Sequence, residues 1–257
     1  MTTTPAVALV TGAASGMGQL AARRLAAAGA SVAAVDVDGD GLAATVHRAP
    51  TMQSWECDVT DAGAVERLVK EVEAAFGPVD RLVHAAGICH PGLLAEQRVE
   101  EIDRTIAVNY LGTAHAVLSV LPGMLDRRHG EIVAFASLAG WLPSPRLGAY
   151  AASKHAVVAF MEVLAYENRA SGVRFACVCP PVVDTPMVAG IRARHAAALG
   201  GQRGIEPGVV LDAIQRSLDT DELFVLPGRG TKAAWRARRF APGLIWRRIE
   251  RATSRAR

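Results

Sequence analysis

Aromatic residues, cysteines and long hydrophobic runs are scarce in this sequence. Phe, Trp and Tyr make up 5% of the 257 residues, and four residues are cysteine. Four cysteines in a chain of this length do not form the disulfide framework of a small secreted domain. No apolar run reaches the roughly 18 residues of a membrane span. The first residues lack the basic start of a secretory signal, so we expect a cytoplasmic protein with reduced thiols.

Hydrophobic residues, by contrast, are plentiful. They make up 51% of the chain and charged residues 21%, a composition that supports a buried core and excludes a disordered chain. Glycine is also abundant, with 24 residues. This favours a tightly packed α/β protein over a β-sandwich.

The charge is unevenly distributed along the chain. Residues 229–257 contain ten Lys or Arg and one acidic residue, a charge of +9, whereas residues 1–228 carry −6. We therefore expect a single domain over 1–228 and a basic amphipathic tail over 229–257. Two interpretations of the tail have equal weight: an arm packed on the acidic body or on a neighbouring subunit, and a peripheral anchor on anionic lipid. Non-specific nucleic-acid binding ranks last, because no recognition fold is visible.

Short apolar segments with strand character alternate with helical patterns. The predicted strands are 6–10, 31–35, 52–56, 81–85, 131–136, 173–178 and 223–226. The predicted helices are 16–28, 40–47, 62–76 after an Asp61 N-cap, 99–125, 150–169, 186–199 and 207–217. The strands are almost continuously apolar, which is typical of a parallel sheet with helices on both faces. We expect one doubly wound α/β domain of the Rossmann type.

A glycine-rich turn follows the first predicted strand and opens the first helix. Its residues are Thr11, Gly12, Ala13, Ala14, Ser15, Gly16, Met17 and Gly18. Glycines let the backbone approach a pyrophosphate, and the helix N-terminus offers free N–H groups. Although such a turn alone is weak evidence, the strand before it and the helix after it favour a dinucleotide site.

Asp36 ends the second predicted strand, where a carboxylate can accept hydrogen bonds from both hydroxyls of an adenosine ribose. The same charge would repel a 2′-phosphate, and no Lys or Arg lies between Gly12 and Gly18. Asp36 therefore favours NAD over NADP, although an ordinary loop aspartate is the alternative.

Tyr150 and Lys154 are four residues apart at the start of a predicted helix, so their side chains share a face. A nearby ammonium favours the phenolate form of tyrosine and tunes it as an acid/base group. Ser137 ends the preceding strand, and ligands bind beyond the carboxyl ends of parallel strands. Ser137 can therefore hydrogen-bond a substrate oxygen, and Asn109 is either a buried polar group or holds a water.

Together these motifs resemble the short-chain dehydrogenase/reductase family of single-domain proteins. The matching set runs to about residue 226 and comprises the glycine turn, Asp36, Asp58-Val59, Ala85-Ala86-Gly87, Asn109, Ser137, Tyr150-x-x-x-Lys154 and the segment from Pro180 to Thr185. The resemblance implies a seven-stranded sheet in the order 3-2-1-4-5-6-7. It also implies a homo-dimer or homo-tetramer built through the two long helices.

The resemblance also implies roles for individual residues. Tyr150 would be the acid/base, Ser137 would orient the substrate oxygen, and Asn109 would support a water relay. Lys154 would bind the nicotinamide ribose and lower the pKa of Tyr150. The other cofactor contacts would be Gly12, Ser15, Gly16, Met17, Gly18, Asp36, Asp58 (on the adenine amino group), Val59, Ala86, Gly87, Tyr150, Pro180, Val183 and Thr185.

Two residues depart from the family pattern. His84 stands where the family usually has asparagine, and we expect a ring nitrogen of His84 to brace neighbouring strands in its place. Pro181 stands where the family usually has glycine, and it removes an N–H beside the nicotinamide.

The substrate side is predicted to be apolar. Its expected residues are Leu138, Trp141, Leu147 and Met187, with core or subunit contacts as an equally weighted alternative. No metal site is expected, because Cys177 and Cys179 have no accompanying Cys/His pair.

These inferences predict that residues 1–228 form a dinucleotide-binding and catalytic domain. We expect an NAD-dependent oxidoreductase that transfers a hydride to or from a hydrophobic secondary alcohol or ketone of steroid, retinoid or lipid type. The alternatives are an NADP-dependent carbonyl reductase of the same family and a non-catalytic nucleotide-binding regulator.

Overall fold

Seven parallel strands form the centre of the molecule in the order β3-β2-β1-β4-β5-β6-β7. The computed structural model describes residues 5–142, 144–241, 243 and 247. The strands are β1 Val7–Thr11, β2 Ser31–Asp36, β3 Met52–Glu56, β4 Arg81–His84, β5 Gly130–Phe135, β6 Val173–Val178 and β7 Phe224–Val225. This confirms the predicted sheet order and the doubly wound α/β class.

Helices cover both faces of the sheet. They are α1 Gly16–Ala27, α2 Gly39–Val46, α3 Ala62–Phe76, α4 Val99–Ile106, α5 Gly112–Arg127, α6 Gly148–Glu167, α7 Pro186–His195, α8 Pro207–Thr220 and α9 Thr231–Phe240. The side chains of each strand point alternately to two apolar clusters, one under α3, α5 and α6 and one under α1, α2 and α8. Burial on both faces explains why the strands read as continuous apolar runs.

Several helix ends follow from local sequence. The Asp61 carboxylate accepts the N–H of Ala64 at 3.0 Å at the start of α3, and Gly77 ends that helix with a φ of 93°. Asp38 caps α2 in the same way by accepting the N–H of Gly41. The predicted N-cap at Asp61 is therefore confirmed.

The predicted helix 99–125 contains a feature that its sequence pattern does not show. A π turn, Ala107–Leu111, separates α4 from α5. Asn109 lies in this turn, and the Gly112 that follows it is so close to Val59 that a Cβ would stand 2.6 Å from Val59 Cγ2. The residue that follows the wide turn, Gly112, is therefore packed closely against Val59.

The helical segment Val99–Arg127 bears on the expectation that no apolar run is long enough for a membrane span. By length and composition alone it could cross a membrane. In the structure its α5 part is a core helix, because Val117, Val120, Leu121 and Met124 are buried against the sheet. Core helices meet the same length and composition criteria.

The C-terminal region is partly described. Helix α9 lies within the predicted tail and packs against the body, where the Trp235 ring meets the Trp141 ring. Within the predicted basic tail, residues 242, 244–246 and 248–257 lie outside the described residues.

Candidate active site

A cavity of about 260 Å³ opens at the carboxyl edge of the sheet, across β1, β2, β3 and β4. It is lined by Gly12, Ser15, Gly16, Met17, Gly18, Val35, Asp36, Val37, Cys57, Asp58, Val59, Ala85, Ala86, Gly87, Ile88, Arg104, Val108, Thr185, Pro186 and Met187. Most of the predicted cofactor residues are in this lining. In open α/β sheets, this edge is where ligands bind.

The glycine turn forms one wall of the cavity, and two of its glycine positions have no room for a side chain. Gly12 has a φ of 68°, and a Cβ there would stand 2.6 Å from the backbone nitrogen of Ala86. A Cβ at Gly18 would overlap the carbonyl oxygen of Gly12. The first turn of α1 therefore packs closely against the end of β1 and lines the cavity, and the free N–H groups of a helix start are the groups that bind a pyrophosphate.

The Asp36 carboxylate is held in place by backbone amides. Its Oδ2 accepts the N–H of Ala14 at 3.0 Å, and its Oδ1 accepts those of Val37 at 2.8 Å and Asp38 at 3.2 Å. These contacts fix a negative charge at the end of β2 on the cavity wall. A ribose diol fits this arrangement, and a 2′-phosphate there would meet like charge.

Asp58 is paired with a residue that the sequence analysis did not single out. Arg104 Nη2 donates to Asp58 Oδ2 at 3.0 Å, and Arg104 Nη1 donates to Thr60 Oγ1 at 3.2 Å. Burial acts to raise the pKa of Asp58, but hydrogen bonds from Thr60 and Arg104 and the Arg104 charge outweigh it and lower that pKa. Asp58 is thus an oriented carboxylate at the wall formed by β3.

Tyr150, Ser137 and Lys154 come together beyond the ends of β5 and β6. Tyr150 and Lys154 share a face of α6, and Lys154 Nζ lies 5.8 Å from the centroid of the Tyr150 ring. Ser137 Oγ accepts the N–H of Ala139 at 3.1 Å, and the Ser137 hydroxyl hydrogen-bonds Tyr150. Lys154 is buried and donates to the carbonyl oxygen of Phe135 at 2.7 Å.

The protonation of Tyr150 differs from the expectation. Burial raises the pKa of Tyr150 above its usual value, nearby Cys89 adds to the rise, and the hydrogen bond from Ser137 offsets only part of it. Burial also lowers the pKa of Lys154 to about 8, and its ammonium is turned toward Phe135. In the protein alone the pKa of Tyr150 is therefore raised overall and the phenol is neutral, while the lowering of this pKa by Lys154 stays a prediction.

Asn109 connects the cavity wall to α6. Its Oδ1 accepts the N–H of Ile88 at 2.8 Å, and its Nδ2 donates to the carbonyl of Ile88 at 3.0 Å and to Ser153 Oγ at 2.9 Å. A Cβ on Gly87 would stand 3.2 Å from Asn109 Oδ1 and 3.5 Å from Lys154 Nζ. Gly87 of the cavity wall therefore packs close to both Asn109 and Lys154, although Lys154 itself is not part of the cavity lining. A water relay through Asn109 stays a prediction.

Comparison with known proteins identifies the chain. Residues 6–196 match the family model of short chain dehydrogenases. The chain belongs to the short-chain dehydrogenase family. It is 37% identical over 185 residues to the 2,3-dihydro-2,3-dihydroxybenzoate dehydrogenase of Bacillus subtilis, covering 70% of this chain and 71% of that protein.

Two solved structures of the family superimpose closely on the fold. A short-chain dehydrogenase/reductase from Burkholderia phymatum in complex with NAD has a TM-score of 0.85 at 28% identity, covering 95% of this chain and 96% of that one. A single-residue variant of actinorhodin polyketide ketoreductase with NADPH has a TM-score of 0.78 at 31% identity, covering 90% of this chain and 94% of that one. This short-chain dehydrogenase is thus an oxidoreductase that acts on alcohol or ketone groups with a nicotinamide cofactor.

The residues of this short-chain dehydrogenase fit a nicotinamide dinucleotide. The two glycine positions of the first turn leave room that a Cβ would fill, and Asp36 and Asp58 present fixed carboxylates at the ends of β2 and β3. Of the predicted cofactor residues from Pro180 to Thr185, Thr185 lines the cavity next to Gly16. Val183 is buried, Pro180 accepts the N–H of Leu138 at 2.8 Å, and Thr185 Oγ1 caps α7 at the N–H of Val188.

The four predicted substrate residues have different surroundings. Met187 is 40% exposed and lines the cavity, Leu138 follows Ser137, and Leu147 lies just before α6. The Trp141 ring packs between the rings of Phe224 and Trp235, so at least part of it is a packing contact rather than a substrate surface. No local pattern signals this contact, because both partners are distant in the chain.

His84 braces two strands, as expected. It pairs with Thr11 across β4 and β1, and its Nδ1 is 2.9 Å from Thr11 Oγ1. Burial, reinforced by the charges of Lys154 and His115, lowers the pKa of His84 to about 3. The ring is therefore neutral and structural.

The cysteines show no metal-binding arrangement. Cys177 and Cys179 are both buried, with their sulfur atoms 3.9 Å apart. Among the residues that the structure describes, no group of three His, Cys, Asp or Glu side chains is placed to hold a metal ion.

Proposed function

We propose that this short-chain dehydrogenase uses NAD and transfers a hydride to or from a hydrophobic secondary alcohol or ketone. The observation that carries the reaction is the hydrogen-bonded pair of Ser137 and Tyr150 beside buried Lys154. Gly87 in the cavity wall lies close to Lys154, and the Asp36 carboxylate is fixed elsewhere in the same wall.

The chemistry divides between the cofactor and the chain. When bound, the nicotinamide supplies or accepts the hydride at the carbinol carbon. Ser137 holds the substrate oxygen, and Tyr150 gives that oxygen a proton during reduction or takes its proton during oxidation. The neutral phenol of the protein alone is the protonation state that reduction needs. Lys154 adds positive charge near Tyr150 at neutral pH.

Asp36 supports the choice of NAD. Three backbone amides hold its charge at the end of β2, which favours a ribose diol over a phosphate. Since the family includes structures with NAD and with NADPH, an NADP-dependent carbonyl reductase is the second candidate.

Exposed leucines beside α6 support a hydrophobic substrate. Leu93 and Leu94 are 42% and 58% exposed, and a side chain at Gly148 would collide with Leu94. Their loop is tied to the segment before α6 by a hydrogen bond from Gly92 N to the carbonyl oxygen of Arg146 at 2.8 Å. Apolar side chains therefore lie against a position on α6 that is two residues before Tyr150.

A two-part experiment tests this function. Binding of NAD⁺ and NADP⁺ is titrated, and turnover of cyclohexanol, 1-indanol, retinol and a hydroxysteroid is followed by nicotinamide absorbance. We expect tighter binding of NAD⁺, turnover of the larger alcohols, and loss of the NAD preference in Asp36→Asn. Equal or tighter binding of NADP⁺ would favour the second candidate.

The partners of this proposal are a second copy of the chain and a lipid surface. Leu118 on α5 and Val163 on α6 are 52% and 56% exposed, which suits a homo-dimer or homo-tetramer through these two helices. Helix α9 packs on the body with Trp235 but exposes Lys232, Arg236 and Phe240. A cytoplasmic enzyme with peripheral contact to anionic lipid would use this outer face. Flotation on phosphatidylserine vesicles, with and without residues 231–257, tests the contact.

A further inference from the structure

Helix α9 is anchored at its start to the end of the sheet. Thr231 is buried, and its Oγ1 donates to the carbonyl oxygen of Pro227 at 2.7 Å. Lys232 Nζ pairs with Glu222 at 3.0 Å. These contacts hold α9 beside β7, a region beyond residue 196, where the family match ends.

One aromatic ring of α9 reaches the active-site side of the molecule. The Trp235 ring meets the Trp141 ring edge to face, with centroids 5.7 Å apart. Trp141 also meets Phe224 of β7 at 5.2 Å, and its Nε1 donates to Cys179 Sγ at 3.4 Å. Edge-to-face pairs of this kind stabilise beyond the area they bury.

Trp141 closes the turn that carries Ser137. The turn is a 3-10 helix, Leu138–Gly140, and the Trp141 N–H donates to the carbonyl oxygen of Leu138 at 3.0 Å. On the other side the turn lies against α6, since a Cβ on Gly140 would stand 2.7 Å from the carbonyl oxygen of Lys154. The turn is thus held between α6 and the Trp141 stack.

We propose that Trp235 is a positioning residue of the active site, which holds Trp141 and, through it, the turn that carries Ser137. The C-terminal helix is then part of the catalytic framework. The inference rests on the proposed role of Ser137. Removing the Trp235 ring uncovers one side of Trp141 and leaves a cavity that the neighbouring side chains fill only in part. Displacing a catalytic group by about 1 Å costs up to about a hundredfold in rate.

Trp235→Ala tests the proposal through two independent readouts. The first is the rate at which N-ethylmaleimide modifies buried Cys179, measured by peptide mass spectrometry. We expect it to rise about tenfold or more, because local opening now exposes the sulfur that Trp141 covers. The second is turnover of the best alcohol in the panel, for which we expect kcat to fall about tenfold to a hundredfold with KM for NAD⁺ unchanged.

Matched variants control the experiment. Phe240→Ala removes an aromatic ring from the same helix, but one that is 80% exposed, and we expect wild-type values. Trp235→Phe keeps an aromatic ring and should restore Cys179 protection and most of kcat. If the alanine variant does not fold, Trp235→Leu is measured in its place, with smaller changes of the same kind expected.

The outcomes separate this inference from the proposed function. If Trp235→Ala and Trp235→Leu keep wild-type kcat while Tyr150→Phe is inactive, the positioning role is overturned and the proposed function stands. Faster labelling of Cys179 without loss of kcat also overturns it, because Trp235 would then be structural alone. Activity in Tyr150→Phe overturns the proposed function itself.

Discussion

The charge of Tyr150 depends on which groups surround it. In the protein alone burial raises the pKa of Tyr150, and the nearest ammonium, on Lys154, is engaged by the carbonyl oxygen of Phe135. Lys154, with a pKa of about 8, still carries most of its charge at neutral pH. The positive charge of an oxidised nicotinamide is therefore the additional factor that oxidation of an alcohol would require to make the phenolate accessible.

Arg104 gives a prediction at the scale of one residue. Arg104→Ala removes the partner that orients Asp58 at the cavity wall. We expect NAD⁺ binding to weaken about threefold to tenfold, as for loss of one partly exposed charge-assisted contact. Isothermal titration calorimetry measures the affinity of each variant for NAD⁺. Arg98→Ala is the control, since Arg98 pairs with exposed Glu100 at 3.4 Å. Equal affinity of Arg104→Ala and wild type would show that Arg104 does not act on the cofactor.

His84 gives a prediction about pH. Its pKa is about 3 in the folded protein and 6.5 ordinarily, so the unfolded chain binds the extra proton between these values. The free energy of unfolding therefore falls as pH drops below 6.5, by up to about 1.4 kcal/mol per pH unit from this group. We expect His84→Asn to show a flatter pH dependence of the free energy of unfolding, measured in urea, between about pH 4 and pH 6.5. A wild-type slope in His84→Asn would refute the assignment.

At the scale of elements, the close packing of α1 on β1 shapes the cofactor wall. Gly18→Ala places a methyl group on the carbonyl oxygen of Gly12. We expect a loss of about 1–3 kcal/mol in the free energy of unfolding and NAD⁺ binding weakened by about tenfold or more. Gly63→Ala, within α3, is the control, because its nearest neighbour is the flexible end of Arg67 at 3.3 Å, and we expect little change in the free energy of unfolding. Thermal unfolding and cofactor titration together measure both variants.

Elements whose causes are local could be predicted from the sequence. The strand order followed from the family resemblance, the strands from continuous apolar runs, and the start of α3 from Asp61. The π turn could not be predicted, because Asn109 and Gly112 make their contacts with Ile88 and Val59, far away in the chain.

The residues of the site show the same difference between local and long-range causes. The glycine turn, Asp36 and Tyr150 have local signatures and were predicted as parts of the site. Arg104 has none, since its pairing with Asp58 joins positions 46 residues apart. The Trp141–Trp235 contact likewise depends on how α9 packs, and the direction of the Tyr150 pKa depends on burial, which sequence spacing does not report.

At the scale of the whole molecule, the outer face of α5 and α6 predicts self-association. Leu118→Glu puts a charge on α5, and α6 also carries exposed apolar side chains, Val163 and Tyr166, the second 69% exposed. We expect the variant to sediment as a monomer where the wild type is a dimer or tetramer, because burying an unpaired carboxylate is costly. Val209→Glu on α8, 40% exposed, is the control and should assemble as wild type. An unchanged assembly in Leu118→Glu would place the interface elsewhere.

The central claim is that the Tyr150 hydroxyl exchanges the substrate proton. The most direct test is a single-turnover measurement of nicotinamide reduction by wild type and Tyr150→Phe at saturating NAD⁺. The account predicts that Tyr150→Phe binds NAD⁺ with nearly wild-type affinity but transfers hydride slower by about a hundredfold or more, the contribution of a positioned acid/base. A hydride-transfer rate in Tyr150→Phe close to that of wild type would contradict it.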